Sequence, residues 1–175
     1  MSSWLTSCGC PSYSARRGIW YLSSRHPVAR RLLWHLFSIG SRRLIEPEYH
    51  EPFEKPGAHL FWVQSGEGEL EDQTGRFALR RGRKVWLVDM SRVRTYIPAP
   101  RRHLTITGFR FGGPGLEFWH EEIRGNASSE FALEEFGLVR GACQELLRLV
   151  RRRPLGWEWQ VHVVITTLIE LGLYA

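Results

Sequence analysis

No apolar run in this chain approaches the roughly 20 residues that span a bilayer, and the opening MSSWLTSCGCPSYSARRG lacks the continuous apolar stretch of a secretory signal. A cytoplasmic location with no membrane partner is therefore the expectation. Cysteine is scarce. Three in 175 residues are too few for a disulfide scaffold. Cys8 and Cys10 stand one residue apart, which is not the C-x2-C spacing of a zinc pair. Cys143 falls in a helical apolar pattern and reads as a small core residue. Lysine is almost absent, so the net charge of +6 rests on arginine beside only Lys55 and Lys84. Those arginines are spread along the chain, which argues against a nucleic-acid face. There is no G-x-S-x-G elbow, P-loop or G-x-G-x-x-G, and the G-E-G at residues 66–68 reads as a hairpin turn.

What is present is a globular composition, 43% hydrophobic and 13% aromatic, in a length that suits one domain with a real core. Residues 1–30 form a polar arm rich in serine and arginine. Leu32–Leu44 has the β-branched and aromatic content of a strand, with a helix possible in its first part. Pro47, Pro52, Pro56 and Gly57 punctuate a loop. Strands are expected at 59–65, 68–72, 76–79, 84–88, 92–97 and 103–111, separated by turn residues that include Gly66, Gly75, Gly82 and Ser91. Short, evenly spaced strands of this kind make an all-β sandwich or barrel.

The pattern changes after residue 112. Pro114 suits the start of a short helix over LEFWHEEI. A longer helix follows Gly125, with Ser128 or Ser129 as its cap and Glu130, Glu134 and Glu135 at the positive end of its dipole. Ala132, Phe136, Val139, Cys143, Leu146 and Val150 make one apolar stripe, and Arg151–Arg153 lie at the favourable negative end. Pro154 and Gly156 break the chain. A last helix, about 155–173, is apolar nearly all round, so it needs cover from its partner helix and from either the β layer or a second subunit.

The segments HLFWVQSGEGELE, FALRRGRKVWLV, YIPAP and LTITGFRFGGPGLEFW, with the terminal helix pair, resemble the N-terminal sensor domain of AraC-type transcription regulators over about residues 33–175. The resemblance implies a mainly β fold, a cupin-like jelly-roll barrel (31–112) followed by an antiparallel helix pair (113–175), with the arm closing over a pocket. It implies a domain that binds a small-molecule effector, such as a sugar or small acid, and is not an enzyme. It implies a homodimer formed through the helices, at Phe136, Val139, Cys143, Leu146, Val150, Val161, Ile165 and Leu168. DNA would be reached only through a helix-turn-helix domain that has no counterpart in this sequence, which reads as an isolated sensor fragment.

The cupin metal pattern can be laid on the chain. Seven residues before Gly66, His59 stands where the pattern has glutamate. The paired histidine positions fall at Pro52 and Glu54, or at Phe53 and Lys55. The last histidine position holds Arg94, near turn residues Asp89 and Ser91. His50 and His59 are two histidines without a third ligand. No metal or other cofactor is expected. Interior-facing metal positions imply that His59 and Arg94 face the cavity, and alternation adds Phe61 and Val63. A buried arginine needs a partner: either an anionic or polyol effector, or an internal salt bridge to Glu54 or Asp89. Trp62 and Trp86 are either stacking walls or plain packing. The competing reading is a metal-dependent cupin enzyme, a dioxygenase or sugar isomerase.

Overall fold

The structure, a computed structural model, describes residues 12–14, 19–22, 31–49, 57–82, 84–116, 118, 130–132 and 136–173. The chain is mainly antiparallel β with two C-terminal helices, the class expected from its sequence. The strands are β1 (Ser12–Ser14), β2 (Ile19–Tyr21), β3 (His35–Leu44), β4 (Glu48–Tyr49), β5 (Ala58–Asp72), β6 (Arg76–Arg80), β7 (Lys84–Asp89), β8 (Val93–Pro98), β9 (Leu104–Gly112) and β10 (Glu130–Ala132). The helices are α1 (Phe136–Arg152) and α2 (Trp157–Leu173). One sheet runs β1-β2-β3-β9-β5-β7-β10. The second holds β4, β8 and β6 around the C-terminal half of β5.

The strand β5 is common to both sheets, and here the structure corrects an expectation. Two strands and a G-E-G turn were expected over 59–72. Instead one strand runs through and bends. Gly66, with φ of 79°, takes up a conformation costly for other residues. A register shift between Val63 and Ser65 against β9 leaves Gln64 as an extra residue. Such a bulge bends the strand and re-aims side chains. It moves the inward face from Phe61 and Val63 to Leu70. The next turn follows expectation: the Asp72 carboxylate accepts the N–H groups of Thr74 (2.6 Å) and Gly75 (3.1 Å) and closes the β5–β6 hairpin.

Two apolar cores result. Between the sheets lie Leu44, Phe61, Val63, Leu70, Leu79, Trp86, Val88, Tyr96, Leu104 and Ile106. On the outer face of the seven-stranded sheet, Leu36, Ile39, Leu60, Trp62, Phe109 and Phe111 meet α1 and α2. Both faces of β5 are thus covered, which is why its first six residues are all buried. The Trp34 N–H donates to His162 Nδ1 at 3.0 Å and ties α2 to the start of β3.

The helices start and pack differently from the sequence reading. The described part of the expected helix start, Glu130–Ala132, is a strand paired with β7, so Ala132 is not in the helical stripe and α1 begins at Phe136 with no acidic residue in its first turn. The proposed caps at Ser128 and Ser129, and Glu134 and Glu135, lie outside the described residues, as does most of the LEFWHEEI segment. Arg151 and Arg152 do occupy the last turn. Arg153 ends the helix at φ 45°, with its guanidinium 5.7 Å from the Trp157 ring centre. Val139, Cys143, Leu146, Val150, Val161, Ile165 and Leu168, assigned above to a dimer contact, are buried within this chain's own helix–sheet core. Phe136 is partly buried, its ring 5.8 Å edge-on to Trp62. The apolar excess on α2 is covered by the sheet and α1. Among the described residues, Leu138, Trp159 and Val163 on the helices and Leu155 in the turn between them are left exposed. The arm is described at β1 and β2, which extend the sheet beside β3.

Candidate functional site

The interior between the sheets is apolar except at one end. There, four side chains form two polar links from one sheet to the other. Arg42 on β3 donates to the Glu48 carboxylate on β4 at 2.5 Å, and both are mostly buried. His59 Nδ1 on β5 lies 2.8 Å from the Tyr96 hydroxyl on β8. Either tautomer makes this bond: Nδ1–H donates to the hydroxyl, or the hydroxyl donates to a bare Nδ1. In the first case the hydroxyl's own proton points at the Met90 sulfur, 3.9 Å away.

Backbone pairing brings these groups together. Glu48 is the cross-strand partner of Tyr96, and antiparallel partners share a face. Arg110 on β9 is the cross-strand partner of His59 and of Ser38, which is buried. The Arg42 guanidinium sits 5.6 Å from the Tyr96 ring centre, and that of Arg110 sits 5.7 Å from Phe37. Burial holds the Tyr96 phenol well above the usual tyrosine range and Glu48 adds to this, while Arg42 and Arg110 act in the opposite sense. The hydroxyl is therefore a neutral hydrogen-bonding group, not a phenolate. The arrangement offers two guanidinium groups, an imidazole and a phenol around one end of the sandwich. It can bind and orient a polar molecule.

Of the residues expected here, His59, Phe61 and Val63 do face the interior, with the His59 and Phe61 rings 4.7 Å apart. Trp86 is also interior and stacks on Phe61 at 6.4 Å. Trp62 is on the opposite face, beneath α1. Arg94 is a correction: it is exposed. The register of β8 on β5 shifts between Val93 and Thr95, which makes Arg94 the extra residue of a bulge. Asp89, named above as its partner, accepts from Ser91 and lies 3.6 Å from Arg92; Glu54 and His50 lie outside the described residues. The interior arginines are Arg42 and Arg110. The alternation of Arg42 with Leu44 on β3 is the sequence signal that finds the first of them. Among the described residues, no three His, Cys, Asp or Glu side chains cluster closely enough to hold a metal ion, and no helix is long and apolar enough to cross a membrane.

Cys143 is the one described cysteine. Burial pushes its thiol up to about 11. A thiol whose folded value exceeds its unfolded one favours the folded state below the unfolded value, and that contribution is lost as pH rises through the folded value. Stability is thus expected to fall between pH 9 and about 11, by roughly 2 to 3 kcal/mol at most. Cys143→Ala should remove this step from a denaturation-versus-pH profile. An unchanged profile would show that the thiol does not titrate in that range.

No family model matches the sequence, and no curated protein sequence matches it. Solved structures are similar in part, three of them as follows. A cupin protein from Bacteroides fragilis is 11% identical, with a TM-score of 0.33 over 42% of this chain and 63% of that one. An RmlC-like cupin protein from Desulfovibrio desulfuricans is 17% identical, with a TM-score of 0.33 over 50% of this chain and 89% of that one. ToxT from Vibrio cholerae is 10% identical, with a TM-score of 0.44 over 78% of this chain and 54% of that one. The chain spans less than two thirds of the first and third of these proteins.

Proposed function

We propose that this chain is the effector-sensing and dimerisation domain of an AraC-type transcription regulator, binding a small polar molecule between its two sheets without a metal. The observation that carries the binding reading is the polar end of an otherwise apolar interior. Burying Arg42, Glu48, His59 and Tyr96 together costs desolvation that a purely structural sandwich avoids with apolar residues. These side chains suit an effector with hydroxyl or carboxylate groups. Both links join the two sheets, so an effector that displaces or strengthens them shifts the balance between sheet spacings. That is a physical basis for a population shift. The regulator reading rests on the sequence resemblance, and chain pairing would use helical faces outside the buried stripe.

A thermal-shift screen of sugars and small carboxylic acids tests this reading. A true effector at about 100 times its Kd adds ~2.7 kcal/mol of stability. Tyr96→Phe removes the hydroxyl and keeps the ring, and Arg42→Gln removes the charge. Each should weaken effector binding at least tenfold while the fold persists. The reading fails if no compound stabilises the protein, or if stabilisation survives both substitutions. Elemental analysis showing stoichiometric iron, manganese or nickel would favour the enzyme reading instead.

A further inference from the structure

A cavity lies on the other side of the seven-stranded sheet, between that sheet and α1. Its volume is about 400 Å³, within the range of small-molecule sites. One part is apolar, built by Trp62, Phe136 and Leu147. The Trp62 and Phe136 rings meet edge-on at 89° and form a corner against which a flat apolar group can lie. The other part is basic. Arg81, from the turn between β6 and β7, and Arg140, from α1, both line it. Neither makes an ion pair with a described carboxylate, and no described lining residue is acidic.

The floor is polar in a directed way. Gln64, the bulged residue of β5, is turned out of the strand register into this cleft. The hydroxyls of Ser41 and Thr107 lie 3.0 Å and 2.7 Å from its amide oxygen. Ser41 donates to that oxygen, and Thr107, with one proton, donates either to it or to Ser41 Oγ at 2.9 Å, so the Gln64 amide nitrogen is left as a donor. The cleft therefore combines two cations, an amide donor and an aromatic corner. Inorganic phosphate would leave the corner unfilled, and a neutral hydrocarbon would leave the cations unused.

We infer that this cleft is a binding site for an amphipathic monocarboxylate, a planar apolar body carrying one carboxylate, separate from the site between the sheets. The carboxylate meets Arg81 and Arg140, and the body lies against Trp62 and Phe136. The probe is 2-naphthoate, titrated against the whole chain by calorimetry, with 2-naphthamide as its uncharged counterpart. Naphthoate should bind, and naphthamide should bind at least tenfold more weakly. The double variant Arg81→Gln/Arg140→Gln should lose at least tenfold in naphthoate affinity. Both side chains are exposed, so this variant should keep its circular dichroism spectrum. Arg94→Gln, exposed on the other sheet, should bind as the parent does.

Three results would overturn the inference: no naphthoate binding, equal binding of acid and amide, or affinity unchanged in the double variant. Loss of naphthoate binding in Tyr96→Phe with retention in the double variant would place the acid between the sheets, and would also overturn it. The two sites fail independently, because effector binding between the sheets does not use Arg81 or Arg140.

Discussion

Gly66→Ala should lower stability by about 2 to 5 kcal/mol, the sum of a left-handed backbone at a residue with a side chain and of overpacking. A Cβ at this position would lie 1.9 Å from the His103 carbonyl oxygen, where backbone and not a flexible side chain must move. The Glu67 N–H also donates to that same carbonyl, at 3.3 Å. Displacing it loosens the point at which β5 passes from one sheet to the other. Gly82→Ala is the control. Nothing lies within 4 Å of its added Cβ, and surface changes of that kind stay within about 0.5 kcal/mol. Urea unfolding of both variants is the measurement. Equal midpoints would mean that Gly66 is dispensable and that the bend has another cause.

Leu146→Ala should cost about 2 to 5 kcal/mol, and by the same amount at low and high protein concentration. Leu146 is fully buried in the core shared by α1, α2 and the outer face of the seven-stranded sheet. Its contacts lie within one chain, so its loss destabilises each chain alone. Were this face spent on a second copy, the measured loss would grow with concentration, because dimer stability is tied to protomer concentration. A concentration-dependent effect would return the buried stripe to a dimer contact.

These two positions also show what the sequence made legible. The apolar stripe of α1 was readable because helical spacing declares a buried face. Spacing does not say what covers that face, and here it is the sheet. Strand positions from β6 to β9 were readable because Gly75, Gly82, Ser91, Pro98 and Pro100 punctuate them. The glycines at 66 and 68 misled, since a strand that bends between sheets and a chain that turns back use the same residue. Alternation from His59 found Phe61 and Val63 because no bulge separates them. Arg94 was misplaced because its inward position was carried over from a motif, and the extra residue in β8 leaves no mark in the sequence. Tyr96, Glu48 and Arg42 come together only through pairing of β4 with β8 and packing of the two sheets. That is tertiary information.

The position of β3 has a consequence for how the chain reaches its fold. β3 begins at His35 and pairs with β9, which ends at Gly112. During synthesis β6, β7 and β8 can each pair with β5 as they follow it, while the edge of β3 opposite β2 waits for a partner not yet made. Closing so long a loop is entropically costly and slow. Until it closes, Leu36 and Ile39, which end in the core, are carried on an unsatisfied strand edge. Such an edge is a template for pairing with other chains. The late step of folding is thus the one most exposed to aggregation, and slowing of translation between Leu44 and Leu104 would lengthen that exposure.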